Sequence, residues 1–99
     1  LVDDLIDTGR TIVKAAEALK SQGAVGVVVA ATHAVFSAPA VEILQSDFID
    51  SVVVTDTLPI PEDKRWDRLT ILPIAPLIAR AIHEVFEDGS VTSMFDGAA

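Results

Sequence analysis

With 99 residues there is room for one small domain, and a hydrophobic fraction of 51% with few aromatics fits an α/β core of Val, Ile, Leu and Ala rather than a disordered chain. A net charge of −8 with only 7 Lys and Arg argues against a nucleic-acid surface, so an anionic ligand must be held by local dipoles, metal or another part of the protein. The lack of cysteine excludes a disulfide framework and thiolate metal sites, no apolar run is long enough for a membrane helix, and a cytoplasmic location is the default expectation.

The chain opens at Leu1 in what reads as mid-strand, since a strand core needs several apolar residues and only Leu1 and Val2 precede Asp3. The expectation is a fragment whose upstream part is absent. Asp3 and Asp4 then fall where a buried strand would emerge at a sheet edge. Adjacent carboxylates there suit the vicinal hydroxyls of a sugar, each oxygen accepting a hydrogen bond, and are also suited to hold Mg2+ through water. A few residues on, Thr8 and Thr11 bring hydroxyls, Gly9 permits close backbone approach, and the free N–H groups of the following helix point into the turn. Such a turn favours an anion, above all a phosphate. A diol reader followed by a phosphate cradle spells a ribose 5-phosphate group. The competing account is that Asp7 or Thr8 merely caps a helix and the two aspartates are a solvated strand end.

From Gly9 the chain turns helical: Ile12, Ala15, Ala16 and Leu19 recur at helical spacing, and Gly23 ends the run. Residues 24–31 show no polar alternation, which predicts a strand buried on both faces, delivering Thr32 and His33 to the carboxyl edge where ligands of open α/β sheets gather. His33 reads as a loop-holding residue, having no metal-ligand pattern around it. Residues 39–46 predict a short helix with Val41, Ile43 and Leu44 inward, and 49–55 a third strand. The proline- and charge-rich 59–68 connection predicts a solvated surface loop carrying Lys64, Arg65 and Arg68, packed down by Trp66. A short strand at 69–72 precedes a helix over 75–86 with an apolar stripe and an exposed His83. Gly89 stops that helix. Ser90, Val91, Thr92 and Ser93 then offer either a turn that cradles an anion or a plain terminal strand. Strand and helix alternate throughout, which predicts a parallel sheet with right-handed crossovers.

The stretch Val2-Asp3-Asp4-Leu5-Ile6-Asp7-Thr8-Gly9-Arg10-Thr11 resembles the phosphoribosyl-pyrophosphate loop of type I phosphoribosyltransferases, in the form found in ribose-phosphate pyrophosphokinases (PRPP synthetases). Three further stretches resemble that family's later signatures in the same order: Ala31-Thr32-His33-Ala34-Val35-Phe36-Ser37-Ala38-Pro39-Ala40, Val52-Val53-Val54-Thr55-Asp56-Thr57-Leu58-Pro59, and Gly89-Ser90-Val91-Thr92-Ser93-Met94-Phe95.

The resemblance implies the C-terminal portion of a phosphoribosyltransferase-like domain, from an oligomeric enzyme that moves diphosphate from ATP to ribose 5-phosphate with Mg2+. Asp3 and Asp4 would hold the ribose hydroxyls, and Asp7, Thr8, Gly9, Arg10 and Thr11 the 5-phosphate. Ser90, Val91, Thr92, Ser93 and Phe95 would contribute to an allosteric anion site between subunits. The family's ATP-binding and catalytic residues lie upstream, so the fragment alone is expected to be inactive. Phe95-Asp96-Gly97 reads as a natural C-terminus. Arg10, Ala34 and Ala38 stand where relatives usually carry glycine; alanine is strained only if those backbones need positive φ. The rivals are a phosphoribosyltransferase, a catalytically silent regulatory homologue, and a receiver-type signalling domain with Asp56 as its acidic residue.

Overall fold

The computed structural model describes residues 1–95, so Asp96 and Gly97 of the expected terminus lie outside the described residues. Four parallel strands, β1 (Val2–Ile6), β2 (Val28–Ala34), β3 (Ser51–Thr55) and β4 (Leu69–Leu72), stand side by side in chain order. The crossovers carry α1 (Arg10–Ser21), α2 (Ala40–Leu44) and a 3-10 turn at Glu62–Lys64. Beyond β4 come α3 (Ala75–Phe86) and a 3-10 turn at Val91–Phe95. The expected α/β fold, a parallel sheet flanked by helices, therefore forms.

One sheet face is the core. Val29 and Ala31 of β2 register with Val52 and Val54 of β3, and all four are buried. Branched side chains on neighbouring strands fill that face. Ala16 of α1 and Ala40 and Leu44 of α2 close over it, with Ile12, Val13 and Trp66 packed at the margin.

The opposite face departs from expectation. β2 begins at Val28 rather than at residue 24 and alternates instead of being buried on both sides: Val28 is 53% exposed and Val29 1%. α3 does not cover that face. Its apolar stripe is present as expected, but the helix packs mainly on the Val91–Phe95 turn and buries none of its residues, leaving the second face of the sheet open. A shallow hollow of about 220 Å³ lies on that face, lined in part by Ala30, Val53, Thr55 and Leu72.

Three local readings are corrected. Asp3 and Asp4 lie within β1, not at its end, because the strand pairs with β2 along its whole length, from Val2 opposite Ala30 to Ile6 opposite Ala34. Their carboxylates accept from the next residue's amide, Asp4 N–H to Asp3 Oδ1 and Leu5 N–H to Asp4 Oδ1, both at 2.8 Å. At the end of α3 the left-handed residue is Asp88 (φ 54°), while Gly89 donates its N–H to Glu84 O at 2.7 Å. Ser90 to Phe95 form no strand; the Ser93 hydroxyl instead donates to Ser90 O at 2.6 Å.

The basic loop is also not simply solvated. Arg68 donates through Nη1 to Ile49 O and through Nη2 to Gln45 O, each at 2.8 Å, and Arg65 donates twice to Ile60 O. Loop carbonyls that leave water need donors, and long cationic side chains reach them while keeping part of the head group wet.

Candidate functional site

Asp7, Thr8 and Gly9 must turn the chain from the end of β1 into α1. Gly9 makes that turn at φ 80° and ψ 3°, in the left-handed region that strains any residue with a Cβ. A Cβ at Gly9 would also stand 2.9 Å from Leu44 Cδ2, so the missing side chain lets α2 pack against the turn. Sequence reasoning had assigned that freedom to ligand approach.

Gly9 is the residue at the helix cap, and no side chain supplies a capping hydrogen bond. This overturns the account in which Asp7 or Thr8 merely caps α1. The first helical bond runs from Val13 N–H to Gly9 O at 3.0 Å. Among the described residues the backbone N–H groups of residues 8–12 make no hydrogen bond. They surround a cleft of about 180 Å³ lined by Asp3, Leu5, Ile6, Asp7, Thr8, Gly9, Arg10, Thr11 and Ile12. An open helix mouth with hydroxyls and a guanidinium beside it attracts an anion. Asp4 is not part of this lining, because successive residues of a strand face opposite sides.

Arg10, Ala34 and Ala38 need no glycine. Among the described residues the non-glycine positions at positive φ are Phe36 (φ 49°) and Asp88. Strain thus falls on Phe36, at a cost of roughly 1–2 kcal/mol. Its surroundings hold it there. Phe36 heads the fully buried side chains in size, and its ring centroid lies 5.8 Å from that of Trp66 at an interplanar angle of 49°. Lys64 Nζ donates to Phe36 O at 3.0 Å. The same turn grips the cleft from behind: Val35 and Phe36 N–H donate to Ile6 O at 3.0 and 3.1 Å, and Ser37 N–H to Asp7 O at 3.0 Å. Sequence reasoning missed this support, although the Phe36-Ser37 pair was in view as part of a motif.

Thr32 and His33 do not line the cleft. His33 Nδ1 pairs with Thr57 Oγ1 at 2.7 Å, tying β2 to the loop after β3, and Thr55 Oγ1 donates to Thr32 O at 2.7 Å, tying β2 to the end of β3. His33 is therefore a loop-holding residue, as expected. Asp56 accepts from Ile74 N–H at 2.8 Å, fixing the entry to α3. No group of three or more His, Asp or Glu is placed to hold a metal among the described residues. No helix of the described chain is long and apolar enough to cross a membrane.

A parallel sheet whose first strand-to-helix turn opens unbonded amides into a cleft edged by a carboxylate has the organisation of a phosphoribosyltransferase-like domain. The family model described as "Phosphoribosyl synthetase-associated domain" matches residues 1–96, and the chain belongs to that family. It is 60% identical over 96 residues to a ribose-phosphate pyrophosphokinase of Bifidobacterium longum, covering 97% of this chain and 28% of that protein. A ribose-phosphate pyrophosphokinase of Mycobacterium leprae is 52% identical over 99 residues, covering 100% of this chain and 30% of the relative. Among solved structures, phosphoribosylpyrophosphate synthetase from Mycobacterium smegmatis superposes with a TM-score of 0.83 at 53% identity, covering 90% of this chain and 30% of that one. The chain thus spans less than a third of the length of these relatives. The receiver-type reading falls: the strands run in chain order, and the carboxylate of Asp56 is used by the α3 entry.

Proposed function

We propose that the chain is the C-terminal portion of a cytoplasmic ribose-phosphate pyrophosphokinase and supplies its ribose 5-phosphate site. The observation that carries this reading is the set of unbonded N–H groups at residues 8–12 around a cleft with Asp3 on its rim. The 5-phosphate sits in the turn on those amides, assisted by the Thr8 and Thr11 hydroxyls and the Arg10 guanidinium, with Asp7 shaping the loop. Asp3 accepts from a ribose hydroxyl. Asp4, on the other side of β1, reaches the sugar only with a shift of that strand.

In the proposed reaction the anomeric oxygen of ribose 5-phosphate attacks the β-phosphorus of ATP, the bond from that phosphorus to the α,β-bridging oxygen breaks, and the hydroxyl proton is released. PRPP and AMP result. This chain's share is positioning, by holding the acceptor so that its anomeric hydroxyl projects from the cleft. ATP is met by parts of the protein beyond these residues. Mg2+ belongs to the family's chemistry, and Asp3 and Asp4 are the carboxylates of this chain that would meet it, through water. The Ser90–Phe95 turn, exposed and remote in sequence from the cleft, is the proposed place for an effector anion at a boundary between copies in an oligomer. The names of the relatives favour this enzyme over a base-transferring phosphoribosyltransferase.

Calorimetric titration of the full chain with ribose 5-phosphate, ribose and inorganic phosphate tests the reading. Ribose 5-phosphate should bind at least tenfold more tightly than either part alone, which corresponds to about 1.4 kcal/mol, and Asp3→Asn should erase most of that margin. Equal affinities for ribose 5-phosphate and inorganic phosphate would refute a sugar-phosphate site.

A further inference from the structure

We propose that Lys64 is a positioning residue for the phosphate turn, acting through the strained backbone of Phe36. The ligand side of this inference rests on the ribose 5-phosphate reading above. Its structural side rests on a chain of bonds. Lys64, at the end of the Glu62–Lys64 turn, donates to Phe36 O at 3.0 Å and forms no ion pair among the described residues. A half-buried ammonium in a chain of net charge −8 is thus committed to one neutral carbonyl. A charged donor makes the stronger kind of hydrogen bond, and it fixes the orientation of the peptide plane that follows Phe36.

That plane matters because it also carries the N–H of Ser37, which donates to Asp7 O at 3.0 Å. The preceding plane carries the Phe36 N–H, which donates to Ile6 O at 3.1 Å. Together the two bonds fix Ile6 O and Asp7 O, and with them the peptide planes that carry the N–H groups of Asp7 and Thr8, the second of which opens the row of unbonded amides. A bulky residue at φ 49° does not hold such planes by its own preference. The ring buried against Trp66 fixes one end of Phe36, and Lys64 fixes the other. Strained backbone held by its surroundings beside a ligand cleft is a known means of pre-organisation.

The test compares Lys64→Met, which keeps the aliphatic stem and removes the donor, with Lys64→Arg, which keeps a cationic donor, in the full chain. Amide chemical shifts of Thr8, Gly9 and Arg10 without ligand should move in Lys64→Met and return towards the original in Lys64→Arg, while those of Val52 and Val53 in β3 stay in place. Ribose 5-phosphate affinity should fall about tenfold in Lys64→Met and recover in Lys64→Arg. Unmoved turn amides with unchanged affinity would overturn the proposal, and so would shifts spread equally over β3, which would mark a general structural loss. Should the unaltered chain fail to bind ribose 5-phosphate, the site reading falls, and the ligand-free amide shifts still decide whether Lys64 governs the turn.

Discussion

Gly9 shows how one residue serves both fold and site. Its left-handed backbone opens the amides of α1, and its bare Cα admits Leu44 of α2. Gly9→Ala should therefore lose at least about 1–2 kcal/mol from backbone strain, with the Leu44 overlap adding to it, read as a lower urea midpoint. Ala34→Gly makes the contrasting case. Ala34 sits in β2 without positive φ, so glycine there relieves nothing and should destabilise by roughly 0.5–1 kcal/mol. The turn itself was legible from the spacing of Asp7, Thr8, Gly9 and Thr11. Which side of the chain the missing Cβ faces was not, because that depends on α2, some thirty residues away. The left-handed Phe36 carries no signal in sequence at all, since steric maps make a bulky aromatic one of the last residues expected there.

At the level of elements, α3 and β4 were legible to the residue, whereas β2 was not. The apolar stripe at helical spacing placed α3 at Ala75–Phe86, the bounds it takes. The apolar run at 24–31 reads as one strand although Gly26 interrupts it, and β2 starts only after that glycine, fixed by pairing with β1 and β3. Carbonyls left at element ends are taken by charged side chains. Arg68 is the clearest example, joining the end of α2 at Gln45 to Ile49 just ahead of β3. Arg68→Ala should cost about 1–3 kcal/mol, the range for a hydrogen bond to a charged group and for an acceptor left unpaired, seen as a shift in the denaturant midpoint with an unchanged slope. An unaltered midpoint would mean that water replaces both bonds without penalty. The basic loop looked solvated in sequence because charge runs usually are; nothing local reveals that a distant carbonyl awaits each head group.

On the scale of the whole molecule the chain is elongated, with a radius of gyration of 16.0 Å and extents of 48 × 32 × 20 Å. A compact chain of this length would have a radius of gyration of about 13 Å. The excess comes from α3, which stands off the sheet with Ile82 65% and Phe86 82% exposed. Hydrogen exchange should separate the two regions: amides of β3 protected to the global unfolding limit, those of α3 exchanging orders of magnitude faster through local opening. Uniform protection would show α3 docked in solution. The fold class was legible because alternation of strand and helix is a local pattern. The open sheet face was not, because an apolar residue reads the same whether its covering layer is present or absent.

Trp66 gives the chain a built-in optical reporter. It is the sole tryptophan, its ring leans on Phe36, and its buried indole N–H has no hydrogen-bond partner among the described residues. An indole in so apolar a setting emits towards the blue, and its quantum yield follows small displacements of the ring beside it. Intrinsic fluorescence of this one chromophore would therefore follow occupancy of the cleft at the mouth of α1 in real time, without a label, through the same turn that supports the cleft.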